Sequence, residues 1–456
     1  MDKRTPLFAV LGLITNVTLV GTAWGQGIQP YPDANTDRLI HQESPMSPPV
    51  RNVVFTDPDF GETMLRASDP TTNFKLPGTY LRTEDSGQAS EWATDTSKFY
   101  MLGKGGQVLV WDFNPMTMQT SSPAGAKSGQ PLLIPLRPGP SFSFVDPDLI
   151  YGTVSTTPLT IASYRFSTAA TTAVIDTKTC GLQPALSATA VSDDDVSVTL
   201  DDSRVSISEG GTQAGKHMFV VVYDKTLGCR WYNTQTGVIS GQWGATGLAV
   251  GSTSHLVRHA IMSRGGGYMV IQVDNFGWYV WNVATLNVTA CPIGSGAHCG
   301  GYAVEGNATR IDGEGAQDDM QVERRPLSNI SQTTQLYYPL PTPGYWGQTQ
   351  HFTWANVDAN DSVPVCLSTY NYEGDTEIDQ PFAGEILCVE TDGLASTFWR
   401  FAHNRAVWVS PYVQTQPLGD VSRDGKFFLF TSNWDTLLGL ASDGTPLSDV
   451  FIVKLQ

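Results

Sequence analysis

The stretch Ser422-Arg423-Asp424-Gly425-Lys426-Phe427-Phe428-Leu429-Phe430-Thr431-Ser432-Asn433 decides the fold class. Its first half is polar and contains Asp424-Gly425, a pair that favours a tight turn. Its second half, from Phe427 to Phe430, is a short apolar run that predicts a buried strand. A turn that leads directly into a buried strand is the repeating element of an antiparallel sheet.

The same unit recurs along the chain at a spacing of roughly 40–65 residues. Its copies begin near Glu91, Ser143, Val198, Ala260, His298, His351 and Val421. Seven such units predict an all-β fold, a seven-bladed β-propeller of four-stranded blades. Two β-sandwich domains are the alternative, but no strong linker separates two halves of the chain.

A ring of sheets has to close, because an unpaired sheet edge invites aggregation. Residues 52–55 and 63–66 precede the first full repeat and have apolar, strand-like sequences. We expect them to pair with the C-terminal strand at Val450–Leu455 and to fasten the last blade.

The N-terminus resembles a secretory signal peptide. Lys3 and Arg4 precede an interrupted apolar run from Leu7 to Val20, and Ala23-Trp24-Gly25 follows as a cleavage site. A membrane anchor is the alternative, but the run is too short to span a bilayer comfortably. The predicted organisation is a signal peptide at 1–25, a loosely ordered lead-in at 26–50 and one propeller domain at 51–456. We expect a secreted or periplasmic protein without membrane insertion.

Charge and cysteine content restrict the partners and the compartment. The formal net charge is −17, which repels nucleic acid and predicts no nucleic-acid partner. A monomer is expected. Six cysteines in an exported chain favour disulfides over metal ligands, since no Cys-x-x-Cys pair is present. Fifteen connectivities are possible, and proximity favours Cys291–Cys299, Cys366–Cys388 and Cys180–Cys229.

Three histidines are spaced almost evenly. His298, His351 and His403 lie 53 and 52 residues apart, as expected for equivalent positions in successive blades. We predict that they converge at the propeller axis as catalytic residues, with His259 and the nearby His255 binding substrate. Imidazoles so gathered act as general bases or metal ligands. The alternative is that each caps a turn by hydrogen bonding.

Arginines and tryptophans accompany these histidines. Arg400 and Arg405 flank His403, and Arg258 precedes His259. A guanidinium would neutralise the carboxylate of a uronic acid, although surface ion pairing is the common alternative. Trp354 and Trp399 are candidate stacking surfaces for sugar rings, and packing between blades is the alternative use of both.

The segment 422–433 resembles the TolB-like propeller motif, in which a Ser-x-Asp-Gly turn leads into a blade strand. The last third of the chain also resembles the oligogalacturonate-lyase group of seven-bladed propellers. His351-Phe352-Thr353-Trp354 stands for that group's His-x-Ser-Trp, and Leu429–Asn433 matches its closing blade.

This resemblance implies a Mn-type metal held by the histidine of the first motif and by a Gln…His-x-His cluster. His351 keeps the first ligand, and Gln414 or Gln416 stands for the glutamine. The paired histidines are missing from this chain. Acidic turns elsewhere in the sequence make Ca the other candidate cofactor.

Two functions therefore remain open. The first is an exported carbohydrate-active enzyme, a polysaccharide lyase that acts on uronate-containing glycans by histidine-mediated proton abstraction. The second is a non-catalytic propeller that binds a glycan or a surface protein through its axial face. The fold does not decide between them.

Overall fold

The computed structural model describes residues 31–84, 90–154, 156–186, 190–192, 195–211, 216–244, 246–274, 277–291, 299–302, 306–311, 321–337, 349–354, 363–372, 381–391 and 397–456. The expected signal peptide and residues 26–30 lie outside this part of the chain, as does His298. Across the described ranges the secondary structure is β-strand with two 3-10 turns, at Thr177–Cys180 and Val413–Thr415. The predicted all-β class is confirmed.

The described strands form sheets with one parallel pairing and otherwise antiparallel pairings, and we number the sheets in chain order. Sheet 1 contains β3 (Leu81–Arg82), β4 (Lys98–Gly103), β5 (Gln107–Asn114), β6 (Gln119–Ser121) and β7 (Leu132–Ile134); it follows β1 (Val54–Thr56) and β2 (Thr63–Arg66). Sheet 2 contains β8 (Ser141–Phe142), β9 (Leu149–Val154), β10 (Thr157–Arg165) and β11 (Ala170–Asp176). Sheet 3 contains β12 (Val191–Ser192), β13 (Ser197–Val198), β14 (Arg204–Gly211), β15 (Phe219–Asp224), β16 (Gly228–Asn233), β17 (Val238–Gly241) and β18 (Gly247–Leu248).

The second half of the chain continues the series. Sheet 4 contains β19 (Val257–Met262), β20 (Tyr268–Val273), β21 (Trp278–Asn282) and β22 (Val288–Ala290). Sheet 5 contains β23 (Cys299–Tyr302), β24 (Gly306–Ile311), β25 (Gln321–Pro326) and β26 (Thr334–Tyr337). Sheet 6 contains β27 (Thr349–Thr353), β28 (Val365–Tyr372), β29 (Glu385–Val389), β30 (Phe398–His403) and β31 (Val407–Trp408). Sheet 7 combines β32 (Gly419–Val421), β33 (Phe427–Ser432) and β34 (Asp449–Lys454) with β1 and β2.

Uniform four-stranded sheets are not observed. Three of the described sheets have four strands, three have five and sheet 3 has seven. Short edge strands such as β7, β18 and β31 account for part of the excess, because loops return to pair with a sheet edge. The spacing of the repeats predicts where each sheet lies along the chain, but it does not predict these additional short strands.

Both ends of the chain meet in sheet 7. Met64, Leu65 and Arg66 of β2 pair with Val453, Ile452 and Phe451 of β34 in an antiparallel register. The guanidinium of Arg66 also forms an ion pair with Asp449 at the start of β34. The predicted pairing of residues 63–66 with the C-terminal strand is therefore confirmed.

The hydrophobic cores of the described residues lie between successive sheets. One cluster joins sheets 1 and 2, and others join 2 to 3, 3 to 4, 4 to 5, 5 to 6 and 6 to 7. A further cluster joins sheet 7 back to sheet 1, through residues such as Ile452 and Phe99. Each sheet thus buries both of its faces against its neighbours, which explains the long apolar strands of the sequence.

In several sheets, one edge strand lies beside an edge strand of a neighbouring sheet, and we call these strands the inner-edge strands. Contacts join β8 with β13, β13 with β19, β23 with β27 and β27 with β32. The turn that follows β32 has the predicted geometry, because the Gly425 N–H donates to the Ser422 carbonyl at 2.8 Å and Gly425 has φ 70°. A β-carbon is disfavoured at such a φ, which explains the glycine.

Residues 31–50 of the lead-in pack against sheets 6 and 7. The buried Tyr31 ring lies 5.5 Å from Trp399 and 5.0 Å from Phe401 between ring centroids. The indole Nε1 of Trp434 donates to the Met46 carbonyl at 2.9 Å. The lead-in therefore covers the outer strand of sheet 6 from residue 31 onward.

Two of the three expected disulfides are confirmed, Cys180–Cys229 and Cys366–Cys388. The third pairing involves Cys299, whose side chain lies outside the described part of the structure, so that Cys291–Cys299 stays a prediction. In the described ranges no helix is long and apolar enough to cross a membrane.

Candidate functional site

His351 lies on β27, the inner-edge strand of sheet 6. It is half-buried, and its imidazole stacks on Tyr370 with ring centroids 5.4 Å apart and planes at 10°. Ser368 is its directly opposite partner on β28. Because opposite residues of an antiparallel pair project to the same face, the Ser368 hydroxyl shares the face of His351.

The segment with Gln414 and Gln416 comes to the same strand pair. The Ser368 hydroxyl donates a short hydrogen bond to the carbonyl of Pro417, the residue after Gln416. Gln414 and Gln416 are each only 9% exposed. The segment that contains both glutamines therefore lies beside the strand pair of His351.

A buried carboxyl group lies further along the same strands. The Thr353 hydroxyl on β27 donates to Asp420 Oδ1 at 2.5 Å, and the Glu91 N–H donates to Asp420 Oδ2 at 2.9 Å. Burial raises the pKa of Asp420 to about 6, despite these hydrogen bonds. Burial, followed by the charges of Asp420 and Glu84, raises the pKa of Glu91 well above its usual value. Sequence reasoning missed this group, because neither carboxyl belongs to a motif.

His403 lies elsewhere, at the end of β30 on the opposite edge of sheet 6. It is 2% exposed, with Nδ1 3.1 Å from Asp59 Oδ2 and Nε2 3.0 Å from the His41 carbonyl. Both ring nitrogens of His403 therefore face oxygen atoms of the protein itself. The prediction that His403 joins His351 at one site is therefore wrong. Even spacing along the sequence does not ensure equivalent positions in the fold, because His351 lies on the first strand of the sheet and His403 on the fourth.

Asp57, Asp59 and His403 form a compact group that could hold a metal ion, since their ligand atoms lie within 4.8 Å of one another. The same atoms are already engaged within the protein. Ser44 donates to Asp59 from its N–H at 2.9 Å and from its hydroxyl at 2.5 Å, and the His403 N–H faces Asp57 Oδ2 at 3.3 Å. Partial burial would raise the pKa of Asp59, but the Ser44 bonds and the His403 charge outweigh it and lower that pKa.

Arg400 and Arg405 are also occupied by internal partners. Arg400 is 0% exposed, pairs with Glu385 and Asp37, and donates to the Leu39 carbonyl at 2.8 Å. Arg405 is 1% exposed and pairs with Glu43 and Asp435 at 2.9 and 3.4 Å. These side chains tie residues 37–44 of the lead-in to the sheets. Their assignment to a substrate carboxylate is corrected, because a buried, paired guanidinium cannot meet a polymer.

The two tryptophans proposed for sugar stacking are core residues. Trp354 is 0% exposed and donates from Nε1 to the Val363 carbonyl at 2.6 Å. Trp399 is 5% exposed and packs edge-on against Tyr31. A ring without an accessible face cannot stack on a sugar, so the substrate-binding prediction is wrong for both.

The remaining candidates lie at sheet 4. His255 Nδ1 is 3.2 Å from Asp274 Oδ1, and His259 Nδ1 on β19 is 3.1 Å from Asp195 Oδ2. Arg258 is half-buried on the same strand. The two histidines have different carboxylate partners and do not form one imidazole cluster. His298 lies outside the described residues and stays a prediction.

Comparisons with known proteins bear on the fold. No family model and no curated protein matches the sequence. An oligogalacturonate lyase solved in complex with manganese is similar in structure, with a TM-score of 0.54 and 13% identity over 90% of this chain and 98% of that one. An oligogalacturonate lyase from Vibrio parahaemolyticus has a TM-score of 0.56 and 12% identity over 88% and 96%. At such identity the likeness shows a shared propeller-like fold alone.

Proposed function

We propose that residues 51–456 form one seven-bladed β-propeller in which sheets 1–7 are the blades. Its support is the closed succession of interfaces, since hydrophobic clusters join each sheet to the next and sheet 7 to sheet 1. The inner-edge strands β13, β19, β27 and β32 then surround the axis, and His351 lies at that axis.

We propose further that the protein is a lyase of uronate-containing polysaccharides with His351 as the general base. The observation that carries this proposal is the position of His351, half-buried on an inner-edge strand and held by stacking on Tyr370. In the reaction, His351 removes the C5 proton of a uronate residue, and a double bond forms between C4 and C5. The C4–O bond breaks, and the departing glycosidic oxygen takes up a proton. The product is an unsaturated uronate, so that no water is consumed.

A divalent metal would fit this site. Amide oxygens are acceptable ligands for Mn²⁺, and Gln414 and Gln416 would supply them. The imidazole of His351 would then keep its nitrogen lone pair free to accept the C5 proton. Such an ion would supply a positive charge for the substrate carboxylate, which would make the C5 proton more acidic. The protein's own contribution is to fix the imidazole, since Tyr370 is itself buried and lies against Trp408 with ring centroids 6.1 Å apart.

The test is incubation with pectic and other uronate polymers, with and without Mn²⁺ or Ca²⁺, while absorbance of the unsaturated product is followed. We expect activity in the wild type, loss of activity in His351→Ala, and retention in Arg165→Ala, a control at a partly exposed residue that pairs with Asp146 and Asp148. Absence of product on every uronate, together with no bound metal by elemental analysis, would overturn the proposal that the protein is an enzyme.

A non-catalytic glycan-binding propeller is the second candidate. It is favoured because Arg400, Arg405 and His403 are engaged in contacts within the protein. Of the predicted catalytic histidines that the structure describes, His351 alone lies on an inner-edge strand. Retention of a uronate polymer on the immobilised protein, without product formation, would identify this function.

We also propose that the protein is exported. The Cys180–Cys229 and Cys366–Cys388 disulfides support an oxidising compartment. N-terminal sequencing of the protein recovered outside the cytoplasm should begin at Gln26, and an intact Met1 on that protein would contradict the proposal.

A further inference from the structure

Two turns at inner-edge strands have the same sequence pattern and the same geometry. Ser263-Arg264-Gly265-Gly266 follows β19, and Ser422-Arg423-Asp424-Gly425 follows β32. In both turns the glycine N–H donates to the serine carbonyl at 2.8 Å, and the glycine φ is 73° and 70°. The pattern Ser-Arg-x-Gly therefore places two arginines at equivalent positions of sheets 4 and 7.

Both arginines contact one aromatic ring. The Cζ atom of Arg264 lies 4.5 Å from the ring centroid of Phe144, and that of Arg423 lies 3.4 Å from it. Phe144 follows β8 of sheet 2 and is 5% exposed. Three separate sheets thus bring two guanidinium groups to the same buried ring.

The hydrogen-bonding capacity of these guanidinium groups is largely unused. Within the described residues, Arg423 makes no hydrogen bond or ion pair, and its Nη1 is buried without a partner. Arg264 is 8% exposed and donates from Nη2 to the Trp354 carbonyl at 3.3 Å, while its Nε is buried without a partner. Arg423 as a whole is half-buried, but its Nη1 atom is fully buried. Arginine nitrogens in an interior are normally paired, because an unmatched charge there is costly.

The neighbouring carboxylates, Asp202 and Asp420, do not form ion pairs with these guanidinium groups. Asp202 accepts hydrogen bonds from Ser143 and Tyr151, and from the Phe144 N–H at 2.9 Å. Asp420 is held by Thr353 and Glu91. Burial and the charge of Arg264 lower the pKa of Arg423 well below its usual value, and burial lowers that of Arg264 to about 10. Repulsion between the two cations therefore contributes to the shift of Arg423, against the opposing charges of Asp420 and Asp202, whereas burial alone lowers the pKa of Arg264, against the charge of Asp420.

We propose that Arg264 and Arg423 form a binding site for a small monovalent anion, either a halide or a carboxylate, beside Phe144. The anion accepts hydrogen bonds from Arg423 Nη1 and Arg264 Nε and separates the two positive charges. It thereby joins sheets 4 and 7 across the ring. The site is independent of His351, so that the lyase proposal and this one can fail separately.

The direct test is diffraction from crystals grown without chloride and soaked in sodium bromide. We expect one ordered anomalous peak in hydrogen-bonding contact with Arg423 Nη1. Competing soaks with acetate and with galacturonate distinguish the sources, since loss of the peak identifies a carboxylate site and persistence identifies a halide site. A water molecule at this position in place of bromide, with no anion at either guanidinium, overturns the proposal.

A solution measurement covers variants that do not crystallise. Bromide should raise the thermal midpoint of the wild type by mass action, and Arg423→Met should weaken the apparent affinity about tenfold or more, as expected for loss of a charge-assisted hydrogen bond. Arg165→Met is the matched control, because Arg165 is a partly exposed arginine that pairs with Asp146 and Asp148. Equal bromide responses in all three proteins would contradict the site.

Discussion

The guanidinium of Arg400 lies along the carboxylate of Glu385, with Nε 2.7 Å from Oε2 and Nη2 2.5 Å from Oε1. Both side chains are buried, and the same guanidinium donates to the Asp37 carboxylate at 3.0 Å. The two parallel bonds join β30 to β29, and the third reaches the lead-in. Arg400 is therefore the point at which the N-terminal segment is fixed to sheet 6.

Arg400→Met should destabilise the protein strongly. The substitution leaves Glu385 buried without its cation, and loss of one partner of a buried pair costs about 3–5 kcal/mol. Denaturant unfolding measures the change. Adding Glu385→Gln should restore much of the loss, whereas the control Arg165→Met, at a partly exposed arginine, should leave the midpoint nearly unchanged. Equal stability of the wild type and Arg400→Met would contradict this structural role.

Glu209 should make the protein less stable as pH rises. It is buried on β14, Thr177 donates to its Oε2 at 2.6 Å, and its Oε1 is buried without a partner. Burial raises the pKa of Glu209 to about 8. The folded protein therefore holds this proton more tightly than the unfolded chain does. Its stabilising contribution is complete below the unfolded pKa and is lost as pH rises through about 8.

Glu209→Gln provides the comparison, because an amide keeps the shape and does not titrate. Between the two pKa values, the free energy of unfolding of the wild type should fall relative to the variant by about 1.4 kcal/mol per pH unit. Parallel pH profiles for the two proteins would show that the Glu209 carboxyl ionises normally in the folded state.

The two disulfides should contribute unequally to stability. Cys180–Cys229 closes a sequence separation of 49 residues and Cys366–Cys388 one of 22. Loop-closure entropy predicts losses of about 4 and about 3 kcal/mol when each pair is replaced by alanine. Unfolding of the two double variants, compared with the wild type under non-reducing conditions, measures both. A larger loss from the shorter loop would refute the entropic ordering.

Trp354→Phe should lower stability by about 1–3 kcal/mol without weakening retention of a uronate polymer. The substitution removes the indole N–H that reaches the Val363 carbonyl, while Thr391 still donates to that carbonyl at 2.7 Å. Thermal unfolding and polymer retention are measured on the same preparation. Weaker retention of the polymer at unchanged stability would show that Trp354 contributes to substrate binding.

The sequence predicts the strands well because their pattern is local. The Asp424-Gly425 turn and the run from Phe427 to Phe430 specify β33 directly, and the same reasoning located residues 63–66 as the closing strand. The pairing of residues 63–66 with the C-terminal strand was predictable because an exposed sheet edge has to be covered.

The site was predicted less well because its residues come from several sheets. Spacing alone placed His403 with His351, whereas loops of unequal length move His403 to the outer strand. Arg264 and Arg423 were overlooked although their Ser-Arg-x-Gly turns are the same. Comparing turn residues across repeats would have found them, since equivalent turns end at the same side of the sheets.

Because sheet 7 combines β1 and β2 with the last strand of the chain, its assembly depends on when each part is made. Residues 63–66 are synthesised long before their partner, because β2 pairs with β34 only after residue 454 has been made. A growing chain must therefore carry an unpaired strand edge at β2 while all the sheets between β2 and β34 are synthesised. The assembly of sheet 7 therefore has to follow the synthesis of sheets 1 to 6.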